Sequence, residues 1–218
     1  MSTADVPAPK PLGPSHRRSL ILAALAVLVV AAMCYDTKIV RLGSGQDASL
    51  QEFSPDKFGQ EQFPRIQDLV TKRAVEVQTL GAAVLGDKAA AAKQYGVEST
   101  TGVIMPIRLV GLVGEGKSGV YDLKVDGAPD AIHLRVQTGP AINGTDLRDA
   151  PGDIKFGQFK NQIEYQDAGS GINRAMKKAV LDPIDVANLS GKSIDLVGVF
   201  RLINPKNWMI TPVKLDIK

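Results

Sequence analysis

The sequence predicts an α+β fold in which an N-terminal membrane helix and a short helical section precede a five-stranded β domain. Three observations predict it. A 15-residue apolar run, Leu20 to Cys34, directly follows the polar segment that ends in Arg17-Arg18-Ser19. Apolar residues then recur at three- and four-residue spacing as far as Val84, which is a helical period. Beyond Thr101 the period changes to two, in five runs with one helix-like stretch among them.

The leader, residues 1–35, sets the address. Cationic residues before an apolar stretch hold that end in the cytoplasm and send the remainder across the membrane. The run is shorter than the roughly 20 residues that span a hydrocarbon core untilted, and falls in the range of about 7 to 15 usual for an export signal. Three uses are therefore open. The segment is an uncleaved anchor in the inner membrane with a cytoplasmic N-terminus, a lipoprotein signal with Cys34 as the lipidation site, or a cleaved export signal. A bulky Met33 stands where lipoprotein processing takes a small residue. All three uses put the rest of the chain in the periplasm.

Residues 36–53, rich in Gly and Ser, read as a spacer. The helical section, 54–98, opens with Ser54 as N-cap and Pro55 at the first helical position, and Pro64 should break or restart that helix. From Arg65 onward Ile66, Leu69, Val70, Ala74, Val77, Leu80 and Val84 make one apolar stripe. Asp87 caps a second helix that Gly96 ends. The β domain, 99–218, begins with Val103 to Gly114, a β-branched run closed by the Gly-rich turn 115–119. Tyr121 to Val125 and Ile132 to Val136 follow, with His133 on the polar face. After a helix at Ile172 to Leu181 come Ser193 to Leu202 and Met209 to Ile217, joined by the turn Asn204 to Asn207. Trp208 reads as core. Pro106 and Pro212 require edges or bulges, and Gly111 and Gly198 mark tight coiling. One helix between strands 3 and 4 of five is the order of an OB-like β-barrel, with a sandwich as the alternative.

Composition excludes several chemistries. With Lys10, Arg17, Arg18 and Asp5 of the leader set aside, 23 cationic residues face 22 anionic ones, so nucleic-acid binding lacks its electrostatic basis. Cys34, the single cysteine, lies in the leader, and His133 is the sole histidine after it. A disulfide, a cysteine-ligated zinc and a multi-histidine metal centre are thus unavailable to the exported part. No metal and no cofactor are expected.

Function concentrates in Gly139 to Gly169, about 30 residues where connections usually run ~4 to 6. This stretch carries Asn143, Thr145, Arg148, Asp149, Phe159, Asn161, Gln162, Glu164 and Tyr165, with Asp146 and Phe156 beside them. Amides, carboxylates and a guanidinium next to aromatic rings suit a hydroxyl-rich ligand or a partner surface. The same groups suit an ordered loop whose Arg148, Asp149 and Asn161 satisfy its own backbone. Asp146, Asp149, Asp153 and Glu164 could in principle supply two acids for glycoside hydrolysis, but acids in a polar loop are usually solvated, so no catalytic residue is expected.

The segments GPAINGTDLRDA, IKFGQFKNQIEYQDAGSGIN, GKSIDLVGVF and ITPVKL resemble an uncharacterised bacterial family of predicted periplasmic lipoproteins, domain of unknown function 2291, over roughly Tyr35 to Lys218. The resemblance implies an accessory role beside sugar ABC-transporter components. The expectation is a membrane-tethered, non-catalytic periplasmic binding module. The alternative is a structural envelope protein that binds other proteins and no small molecule.

Overall fold

The computed structural model describes residues 14–36 and 53–218, and the chain divides into two units, Met1–Glu52 and Phe53–Lys218. In the first, Pro14–Asp36 is a helix, α1, that carries the whole apolar run with Leu20 to Met33 exposed. No helix among the described residues is long and apolar enough to cross a membrane. The expected membrane helix is a helix, yet 15 apolar residues rise only about 22 Å against ~30 Å of hydrocarbon. The expected spacer lies almost wholly outside the described residues.

The second unit begins with α2, Pro55–Arg73, capped by Ser54, whose Oγ accepts from the Lys57 N–H at 3.4 Å. Pro64 does not break it. The proline is exposed while Gly59, Phe63, Ile66 and Val70 form a continuous buried face, and that packing outweighs the local cost of about 3 kcal/mol. The expected single stripe does divide, at Ala74, which is extended. Val75–Glu76 form strand β1, and helix α3, Val77–Gly86, restarts the apolar face with Val77, Leu80 and Val84 buried. Helix α4, Lys88–Tyr95, is capped by Asp87, which accepts from the Ala89 and Ala90 N–H groups, and ends at Gly96.

Among the described residues seven strands, rather than five, form the sheet. The two unforeseen ones, β1 and β2 (Val97–Ser99), are too short to show a period, and both pair with β3, Gly102–Lys117. The remaining five are the expected ones: β3, β4 (Val120–Lys124), β5 (His133–Gln137), β6 (Ser193–Arg201) and β7 (Asn207–Ile217). Their pairings run β3 to β4 to β5 to β7 to β6 and back to β3, a closed circuit. The β3–β4 hairpin turns on Ser118 and Gly119, both at positive φ, the geometry that matches strand twist. Pro212 sits at a bulge between β6 and β7. Met105 and Pro106 fall between the residues that pair with β2 and with β1, so Pro106 deprives neither of a hydrogen bond.

The core lies inside the circuit and under the helices. Trp208 is buried as expected and stacks on Phe200 with ring centroids 4.3 Å apart. The same buried cluster takes in Ile104, Ile107, Leu196, Ile210 and Val213 of the strands and Ile66, Ile172 and Met176 of the helices.

Helix α6, Gln162–Met176, continues through a wider turn to Leu181 and therefore starts ten residues before the helix expected at Ile172. Gly171, inside this helix, is what lets α2 approach. A Cβ on Gly59 would collide with the Gly171 carbonyl, and one on Gly171 with the Pro55 carbonyl. Burial against α2 offsets the weak helix propensity of glycine.

Candidate functional site

The long connection is held from within. Gln137, at the end of β5, donates to the Asn143 carbonyl and accepts from the Asn143 N–H, each at 3.2 Å. Asn173 of α6 donates to the carbonyls of Ile142 and Gly144 at 3.2 and 2.9 Å. A short helix, α5 (Asp146–Asp149), then points its charged groups inward.

Arg148 and Asp149 are 3% and 4% exposed and bond to each other at 2.8 Å. The Arg148 guanidinium carbon lies 3.6 Å from the Tyr165 ring centroid, and Nη1 donates to the Tyr165 carbonyl at 3.0 Å. Asp149 Oδ2 accepts from Thr145 at 2.9 Å, Thr101 at 3.2 Å and Arg201 at 3.4 Å. Arg201, at the end of β6, also donates to Asp146 at 2.6 Å and to Thr145 at 3.0 Å. Two guanidiniums and two carboxylates thus alternate, as a buried charge must when it is removed from water. Burial pushes the Asp146 carboxyl above its ordinary value, and Arg201 opposes that shift.

Two open grooves adjoin this network and share Gly144 and Thr145. The first, about 570 Å³, is lined by Thr100, Thr101, Arg148, Gln162, Tyr165 and Ser170 among others. The second, about 530 Å³, is lined by Arg135, Asp146, Arg201, Ile203, Asn204, Asn207 and Met209.

Of the nine expected site residues, Thr145, Arg148, Gln162 and Tyr165 come together on the first groove, with Asp149 buried behind them. The other four do not line it. Asn143 is held through its backbone. Asn161 caps α6 by accepting from the Glu164 N–H at 2.9 Å, and Glu164 reaches back to the Lys160 N–H at 2.9 Å. Phe159 packs in a ring cluster with Phe53, Phe58 and Tyr165. Cys34 is exposed on α1. His133 is exposed, 2.8 Å from Asp122. Sequence reasoning missed Thr101, Arg135, Arg201, Asn204 and Asn207. An arginine closing the buried strand Val197 to Phe200 was a visible anomaly, but its partners lie 50 or more residues away in sequence.

A family model described as predicted periplasmic lipoprotein (DUF2291) matches residues 24–216. The chain belongs to this family. No curated protein matches the DUF2291 chain. Among solved structures it is similar to the crystal structure of an OB-fold protein from Thermotoga maritima, with a TM-score of 0.61 and 17% identity, over 77% of this chain and 99% of that one. At that identity the likeness speaks for the fold alone, and it agrees with the closed five-strand circuit and the helix between its third and fourth strands.

Proposed function

We propose that this DUF2291 chain is a non-catalytic periplasmic module, attached to the inner membrane through its N-terminal segment, that assists a sugar ABC-transport system. The observation that carries the reading is the family match, which takes in most of the apolar run and nearly all of the second unit. An apolar run too short to span favours attachment through a lipid on Cys34. The groove at Thr145 and Tyr165 supports a binding role, because hydroxyls, an amide and a guanidinium beside an aromatic ring suit a hydroxylated ligand or a partner loop.

A non-catalytic role has support in how the acids are used. Asp149 is saturated by donors, Asp146 is paired with Arg201, Asp153 with Arg65 at 2.7 Å, and Glu164 caps a helix. These engagements support a structural use of the acids. The near-neutral charge supports the absence of a nucleic-acid partner.

The test is affinity purification of the detergent-solubilised full-length protein from native membranes of cells grown on different sugars, with mass spectrometry of what accompanies it. Recovery of a permease, an ATPase or a sugar-binding protein is the expected result. Recovery of the chain alone or with general envelope proteins would favour a structural envelope protein, a reading to which the internally satisfied loop and the exposed Phe156, Ile163 and Ile203 lend support.

A further inference from the structure

The groove beyond Thr145, at the β6–β7 turn, has a donor surplus that the transport reading does not use. Every side-chain oxygen of the lining but one already accepts a hydrogen bond. Asn207 Oδ1 accepts from Arg135 Nη2 at 2.8 Å, and Asn204 Oδ1 accepts from the Lys206 N–H at 2.8 Å. Because both partners can only donate, the O/N assignment of each amide is fixed, and the NH₂ groups of these two exposed residues have no partner among the described residues. Asp146 Oδ1 and Thr145 Oγ1 are taken by Arg201. What remains is Asp146 Oδ2.

Arg135 and Arg201 have donors to spare as well. The Nε of each is buried with no partner, and Nη1 of each makes no hydrogen bond among the described residues. Two guanidiniums against one carboxylate leave the lining with a single net positive charge. The turn that carries the amides is stiff, tied by the Asn204 to Asn207 bridge and by Trp208 Nε1, which donates to the Pro205 carbonyl at 3.0 Å. Met209 and Ile203 add an apolar wall.

We infer that this groove, between Arg135, Arg201 and the amides of Asn204 and Asn207, binds a small hydroxylated monocarboxylate, a hydroxy acid or sugar acid. The carboxylate takes the guanidinium and amide donors, and a hydroxyl donates to Asp146 Oδ2. One ligand charge neutralises the lining, whereas the second charge of a phosphate monoester would face Asp146. The inference stands on the chemistry of this groove and holds whether or not the chain serves a transporter.

The test is calorimetric titration of the full-length protein in detergent with glucuronate, lactate, glucose and inorganic phosphate. Saturable binding of glucuronate or lactate, with glucose and phosphate at least about tenfold weaker, is expected. Asn207→Asp keeps the acceptor for Arg135 while replacing the outward donor with a negative charge, and should weaken acid binding at least about tenfold without changing the melting temperature by more than a few degrees. Asn204→Asp serves in the same way should that variant fail to fold. Three results would overturn the inference: no saturable binding of either acid, equal binding of phosphate, or acid binding that survives both aspartate substitutions.

Discussion

Replacing Asp149 by alanine tests whether the charge network is what holds the long connection in place. Its carboxylate takes the Arg148 Nε and Nη2 donors at 2.8 Å, Thr145 at 2.9 Å, Thr101 at 3.2 Å and Arg201 at 3.4 Å, at 2% side-chain exposure. Truncation leaves the Arg148 guanidinium buried against the Tyr165 ring with no counter-charge, which costs about 3 to 5 kcal/mol. Domains have only about 5 to 15 kcal/mol of stability, so the loss is a large share of the total. Urea unfolding followed by Trp208 fluorescence is a suitable assay, since this is the chain's single tryptophan and it is fully buried against Phe200. The double variant Arg148→Met, Asp149→Leu removes both charges and should recover most of the loss, because no ion is left stranded. A cost below about 1 kcal/mol for Asp149→Ala, or a double variant as unstable as the single one, would refute the reasoning.

Gly59→Ala should destabilise by about 1 to 3 kcal/mol, measured by the same unfolding assay, because the added methyl meets the backbone of α6 and not a movable side chain. Asn161→Ala should cost about 1 kcal/mol through loss of the α6 cap, read as a drop in the urea midpoint with unchanged slope. Asp146 holds its proton more tightly folded than unfolded, so its contribution is most favourable below the ordinary value of 3.8 and declines as pH rises through the window up to its raised folded value. Asp146→Asn should therefore gain stability relative to wild type as pH rises across that window, measured as the difference between two pH-dependent melting curves. Cys34→Ser should abolish incorporation of labelled fatty acid into the protein, and an unlabelled wild type would remove the lipid attachment from the proposal.

Local signals in the chain were sufficient for part of this architecture. Ser54-Pro55, Asp87 and Gly96 mark helix ends with groups that satisfy the nearest backbone atoms, and the structure uses each as expected. Alternation along the third run put His133 on the polar face, and a tryptophan beside Met209 and Ile210 near a strand start was expected in the core; the structure has both so. The period-two runs and the place of the helix among them pointed to an OB-like order, with a sandwich as the alternative, and left the short strands β1 and β2 unforeseen.

Other features depended on partners far along the chain. Pro64 looks like a break when read locally, and the later helix was expected to begin only at Ile172, yet both positions lie in continuous helices because α2 and α6 bury one face against the other. Tyr165 and Gln162 looked like loop residues for the same reason. The candidate site divided along this line: residues expected to face a ligand from one segment, such as Asn161 and Glu164, serve the backbone next to them, while the grooves are completed by Thr101, Arg135, Arg201 and Asn207 from four other places in the sequence. By itself the sequence determined the address signal, the periods and the caps, because those depend on neighbours within a few residues. Only the tertiary structure decided which charges are buried together and which donors are left over, because hydrogen-bond satisfaction is an accounting across the whole fold.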